Sequence, residues 1–88
     1  MSAITETVEA VAEAPADRPR DVLDVADLPP PEPLARTLER LADLDEETVL
    51  VQRNDRAPQH LYPKLEDRGY RHATVDWDDD VVTVIWRP

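Results

Sequence analysis

Four of the five residues from Pro29 to Pro33 are proline, and they stand directly before a leucine-striped stretch. Proline holds φ near roughly −65° and removes a backbone N–H. The run therefore suits neither the interior of a sheet nor the interior of a helix; it is a stiff connection. Pro33 fits a first helical turn, where its missing N–H costs nothing. Glu32 complements the positive end of the helix dipole there. Ahead of the prolines, Asp21–Val25 reads as a short strand, with Val22, Leu23 and Val25 as its apolar side chains. Behind them, Leu34, Leu38, Leu41 and Leu44 recur at helical spacing, with Arg36, Glu39, Arg40 and Asp43 on the other side. That pattern predicts an amphipathic helix of about three turns covering one face of a sheet.

The rest of the chain continues the alternation. Asp45-Glu46-Glu47 is a polar turn, and Thr48–Arg53 is a strand of β-branched character. Asn54 or Asp55 is a suitable N-cap. Pro58 then falls in the first turn of a second helix, with Ala57, Leu61, Tyr62 and Leu65 facing inward. Gly69, the only glycine, stands where a helix needs a left-handed residue after its end. Tyr70–Trp77 and Val81–Trp86 read as two strands of a hairpin around Asp78-Asp79-Asp80. The order is βαβαββ. A right-handed crossover makes the first two strands parallel, and the hairpin makes the last two antiparallel. The expected class is α+β: a two-layer α/β sandwich with both helices on one face of a mixed four-stranded sheet. This domain spans residues 21–88. Residues 1–20 are rich in Ala and Glu, with the weak stripe Ile4, Val8, Val11. So short an isolated helix is marginal in water, and a disordered or weakly helical acidic tail is expected.

Charge and composition narrow the chemistry. Among 88 residues, 20 are acidic and 10 basic, for a formal charge of −10. Nucleic acid is an unfavourable partner for such a chain, since binding it rests on clustered cations. Self-repulsion of this size destabilises a small fold in dilute salt. At about 1 M salt the Debye length falls to roughly 3 Å and most of the repulsion is screened. Acid excess with a single lysine, Lys64, points to a halophilic setting. No cysteine is present, which excludes disulfides, thiolate metal sites and thiol catalysis. No apolar run is long enough to span a membrane and the N-terminus has no signal-peptide pattern; a cytoplasmic protein without membrane contact is expected.

The run from Leu23 to Leu44 resembles the opening of the TusA-like sulfur-carrier family, which reads Leu-Asp-x-x-Gly-Leu-x-Cys-Pro-x-Pro before its first helix. Leu23, Asp24, Leu28, Pro31 and Pro33 match that pattern, while Asp27 replaces its glycine and Pro30 its cysteine. Asn54-Asp55, Pro58, Leu61-Tyr62, Leu65 and Arg68-Gly69-Tyr70 look more like a cysteine-less relative, an uncharacterised domain family. The resemblance covers about residues 21–87. It implies the sheet order 1-2-4-3. In the carriers the cysteine sits at a helix N-terminus, where the dipole and free N–H groups lower its pKa. With Pro30 there, persulfide transfer by that mechanism is impossible. Between Pro29 and Pro33 only Glu32 retains an N–H, and its carboxylate repels anions. Pro30, Pro31 and Pro33 are thus a degenerate form of the family motif: a rigid turn, or a polyproline-like edge presenting Glu32 to a partner.

Other candidate sites are fewer. His60 and His72, the only imidazoles, could join Asp55 or Asp76 in a two-His-one-carboxylate metal site. Asp76, Asp78, Asp79 and Asp80 cluster at the hairpin without the spacing of a calcium loop. Residues 53–72 hold Arg53, Arg56, Lys64, Arg68 and Arg71 against Asp55, Glu66 and Asp67, a local balance of +2 in an otherwise acidic chain. Such a zone can steer an acidic partner. The last strand, Val81–Trp86, is apolar on both faces, so its outer side needs a cover: the tail, a second copy, a partner, or neighbouring side chains such as Trp77 and Arg71. Candidate partner contacts are Glu32, Arg56, Lys64, Val81, Thr83 and Ile85.

The expected function is a non-catalytic protein-interaction or regulatory module with no cofactor, binding an unidentified protein or itself. The alternative is a metal- or cofactor-associated accessory of redox metabolism using His60 and His72. Enzymatic activity is disfavoured, because no nucleophile–base pair, phosphate loop or paired catalytic carboxylates can be assigned.

Overall fold

A computed structural model describes residues 17–77 and 79–88. Six elements follow in the expected order: β1 (Arg20–Asp24), α1 (Glu32–Asp43), β2 (Val49–Asn54), α2 (Leu61–Asp67), β3 (Arg71–Trp77) and β4 (Asp80–Trp86). The sheet order is β1-β2-β4-β3. β1 runs parallel to β2 with Val22 beside Val51, and β2 runs antiparallel to β4 with Val51 opposite Val84. β3 closes the other edge, antiparallel to β4, with Ala73 opposite Val84. β1 begins one residue earlier than expected, at Arg20. The expectations placed on residues 1–16, on Asp78 and on the Trp77 side chain lie outside the described residues.

Period-two alternation divides the sheet into two apolar faces. On the helix side, Leu50 and Ile85 pack with Leu41 of α1 and with Leu61 and Leu65 of α2; Leu23, Leu34, Leu38, Leu44 and Tyr70 complete the layer. Both helices therefore cover the same face. On the other side, Val49, Val51, Val82, Val84 and Trp86 form a second cluster with Ala73 and Val75. The hairpin register decides which residues of β4 face out. Asp80 pairs with Trp77, so Val82, Val84 and Trp86 point away from the helices while Thr83 and Ile85 point toward them. The expected outward contacts Thr83 and Ile85 are thereby corrected: both are fully buried on the helix side. Val81, on that same side, is half-buried.

The second helix is shorter than expected. Asn54 does not cap it; it ends β2, buried, and its Oδ1 accepts the Asp55 N–H at 2.8 Å. Residues 57–60 form turns, with Gln59 N donating to Ala57 O and Leu61 N to Pro58 O, both at 2.9 Å. Ala57 is exposed rather than inward. The helix starts at Leu61, and Pro63 occupies its third position, where an N–H is not required. Its end is as expected. Gly69 has φ +79°, Gly69 N donates to Glu66 O at 3.1 Å, and Tyr70 N donates to Leu65 O at 3.0 Å. This doubled closure turns the chain into β3 and seats Tyr70 against Leu65. Among the described residues, no helix is long and apolar enough to cross a membrane.

Candidate functional site

The carboxyl ends of parallel strands are where open α/β sheets present their loops for binding. Here β1 and β2 both end beneath two loops, residues 25–31 and 55–60. Between them lies a cleft of about 1090 Å³. One wall is Leu28, Pro29, Pro30, Pro31, Pro33 and Leu34; the other is Ala57, Pro58 and Leu61. Asp27, Asn54, Asp55, Arg56, Gln59, His60 and Lys64 supply the polar part of the lining.

Local hydrogen bonding holds the first wall. Val25 N donates to Arg53 O at 2.9 Å, carrying the β1–β2 ladder one residue past the strand. Asp24 Oδ1 accepts the Ala26 N–H at 3.0 Å, and Leu28 N closes a turn onto Val25 O at 3.1 Å. Pro33 follows within the first turn of α1. The single N–H in the proline run, that of Glu32, donates to Pro29 O at 3.0 Å. It is thereby spent within the loop, and the Pro29–Pro33 run has no free backbone N–H for an anion. Glu32 itself is exposed and does not line the cleft.

Behind the cleft runs a buried polar seam. Gln52 Nε2 donates to Thr37 Oγ1 at 2.7 Å, and Thr37 Oγ1 donates to Pro33 O at 2.7 Å. Gln52 and Thr37 are both fully buried. This ties β2 to the first turns of α1 and so to the proline wall. A second chain, Tyr62 Oη to Thr74 Oγ1 at 2.6 Å and Thr74 Oγ1 to Thr83 Oγ1 at 3.0 Å, crosses from α2 to β3 and β4.

Charge is arranged around this frame. Arg53 grips Asp80 through Nε at 2.9 Å and Nη2 at 2.7 Å, and reaches Asp24 through Nη1 at 2.9 Å. The hydrogen-bonded Asp80 carboxylate, and then Asp24, hold its guanidinium above the ordinary arginine range. Arg53 is thus a strap on the outer face between β1, β2 and β4. Arg56 and Lys64 are exposed on the cleft, with Arg56 3.6 Å from Asp55.

The expected site residues separate into groups. Pro30, Pro31, Pro33, His60, Arg56 and Lys64 come together around the cleft. His72 does not join them. It stacks on Tyr62 with ring centroids 4.6 Å apart, and its Nε2 lies 3.2 Å from Glu66 Oε2. Among the described residues no group of three His, Cys, Asp or Glu side chains is placed to hold a metal ion. Gln59 and the Gln52–Thr37 seam were not singled out from the sequence, and Asn54 and Asp27 were named there as a helix cap and a departure from the family motif rather than as site residues. The signal was the polar pair Gln52 and Asn54 in alternate positions at the end of an apolar strand. Chemically, the lining offers apolar walls, two amides and a few charged groups, and it holds no serine, threonine or cysteine. That set can recognise a chain segment.

Comparison with known proteins is sparse. No curated protein matches this chain, and no solved structure does. One family pattern covers residues 22–87, which takes in every element of the fold except the first two residues of β1. By that match the chain belongs to the family described as uncharacterized conserved protein (DUF2249).

Proposed function

We propose that this chain is a non-catalytic protein-interaction module on a sulfur-carrier-like fold, and that it docks an acidic, partly apolar segment of a partner protein in the cleft between the proline loop and the β2–α2 loop. One observation carries this reading. The position that matches the carriers' cysteine is Pro30, and it lies on the wall of the cleft with the sole N–H of the Pro29–Pro33 run already bonded. What the sulfur-carrier likeness would assign to chemistry is here a rigid apolar surface. Prolines lose little conformational entropy on binding, which favours docking on a preformed wall. Arg56 and Lys64 lie within residues 53–72, whose charges sum to +2 in a chain of net charge −10, and they offer ion pairs to an acidic partner. The acidic remainder supports work in concentrated salt, where its self-repulsion is screened.

The test is capture of partners at salt concentrations from about 0.2 M to about 1 M, over which surface ion pairs are progressively screened. The bait is wild-type chain or the cleft-filling variant Ala57→Arg. A partner retained by wild type and lost by Ala57→Arg, with unchanged circular dichroism, supports the reading. Identical capture by both overturns it. The metal-accessory alternative is the weaker reading, because His60 lines the cleft while His72 stacks on Tyr62.

A further inference from the structure

Asn54 ends β2 with only 4% of its surface exposed, and it lines the cleft. Its Oδ1 accepts the Asp55 N–H at 2.8 Å. An N–H must face an oxygen, so this bond fixes which way the amide points. Nδ2 is the end left over. Among the described residues nothing accepts its hydrogens. Unlike Gln52 Oε1, two residues back on the same strand, it is not sealed from solvent.

A second donor stands at the start of α1. The Glu32 N–H is spent on Pro29 O at 3.0 Å, Pro33 has none, and the Ala35 N–H reaches Pro31 O at 3.2 Å. No side chain caps the helix. The N–H of Leu34 is therefore the first-turn donor without an acceptor among the described residues. Leu34 also lines the cleft.

Topology brings the two donors abreast. β1 and β2 are parallel, so α1 runs back against the direction of β2. Thr37 and Gln52 are bonded to each other across this pair. One turn back along α1, Leu34 lies about 4.5 Å from the level of Thr37. Two residues on along β2, Asn54 lies about 6.5 Å beyond Gln52, on the same face of the sheet. Both steps lead toward the cleft. The positive end of the α1 dipole points there as well. Glu32 does not line the cleft, and Asp27 and Asp55 on the lining are offset by Arg56 and Lys64.

We propose that Asn54 Nδ2 and the Leu34 N–H form a carboxylate subsite at the head of the cleft, which anchors the docked segment. The inference rests on the docking reading and deepens it. Three hydrogens on two nitrogens suit a carboxylate, with roughly four lone-pair sites, better than a carbonyl with two. Asn54 is then the residue that selects an acid over its amide, while the proline wall takes the apolar neighbours.

The test is nitrogen-15 NMR of the full wild-type chain, titrated with three short peptides at millimolar concentration. Acetyl-Leu-Asp-Leu-amide carries its carboxylate on a side chain, acetyl-Leu-Leu carries it at a free C-terminus, and acetyl-Leu-Asn-Leu-amide has none. Shifts of the Leu34 N–H and the Asn54 side-chain amide are expected with an acid and not with the third peptide. Which acid acts names the source of the carboxylate. No shift with either acid, or equal shifts with the uncharged peptide, overturns the proposal. Asn54→Asp keeps an oxygen for the Asp55 N–H and replaces the donor by a second oxygen. It should weaken binding of the active acid at least about tenfold, and unchanged binding would contradict the assignment. The wild-type titrations decide the question if this variant does not fold. Partner capture lost with Ala57→Arg but unchanged with Asn54→Asp would remove the subsite and leave the docking cleft standing. Capture indifferent to Ala57→Arg would sink the docking reading, whatever the peptides show.

Discussion

Gln52 Nε2 donates to Thr37 Oγ1 across 2.7 Å of fully buried interface, and the same hydroxyl donates to Pro33 O. One hydroxyl thus joins the strand behind the cleft to the wall in front of it. Thr37→Val keeps the shape and removes the link. It leaves a buried amide unpaired, which costs about 1–3 kcal/mol. Adding Gln52→Met to Thr37→Val should restore part of that loss, because both partners are then apolar. Urea denaturation of the two single variants and the double variant measures the coupling. Strict additivity would show that the pair is not linked.

Gly69 tests the end of α2 in isolation. Its φ is +79°, and a Cβ added there would meet nothing closer than Arg87 Nη1 at 4.0 Å. Space is available, so any cost of Gly69→Ala is conformational, about 1–2 kcal/mol for a left-handed residue. Gly69→Asn should cost less, since asparagine tolerates that region better. Thermal or urea unfolding distinguishes them, and equal stability of glycine and alanine forms would refute the left-handed closure.

Acid stability has a local source in the turn after α1. Asp45 Oδ1 accepts the Thr48 hydroxyl at 2.9 Å and the Glu47 and Thr48 N–H groups, each at 3.0 Å. The Thr48 hydroxyl first, then these amides, hold the Asp45 carboxyl below its ordinary 3.8. A carboxyl depressed in the folded state contributes stability above its unfolded value and loses it as pH falls through the folded value. Between about pH 6 and about pH 2.5, wild type should therefore lose more stability than Asp45→Ala, read as a steeper acid limb in denaturant midpoints. Parallel acid limbs would remove Asp45 from the account.

The cation side of the cleft gives a separate prediction. Lys64→Glu places an acid on the lining beside the exposed Arg56, while leaving the core untouched, since Lys64 is exposed. Partner capture should fall and its salt dependence should change, with the unfolding midpoint nearly unaltered. Full retention of capture would mean that charge on this edge does not steer the partner.

Much of the fold could be read from side-chain spacing because the strongest elements obey one period each. Leu34, Leu38, Leu41 and Leu44 admit only a helix, and Gly69 marks the end of α2 by its conformational freedom. The start of α2 was not readable in that way. Ala57, Leu61 and Leu65 keep four-residue spacing, so periodicity extends the helix a turn too early, whereas hydrogen bonds from Gln59 and Leu61 close turns instead. The faces of β4 were hidden for a different reason. Val81, Val82, Val84 and Ile85 are apolar at both parities, so only the pairing of Asp80 with Trp77 decides that Val84 faces out and Ile85 in. The prolines announced a stiff turn, but their role as a cleft wall depends on the loop at residues 55–60, which only the parallel pairing of β1 and β2 brings beside them.

Site-directed photo-crosslinking tests the docking cleft most directly. A benzophenone amino acid replaces Gln59, on the cleft, or Glu39, on the exposed side of α1 and away from it. After irradiation in the native cells, the account predicts a discrete adduct with one protein from position 59, no such adduct from position 39, and its loss when Ala57→Arg fills the cleft. No adduct from position 59, or equal adducts from both positions, would contradict it.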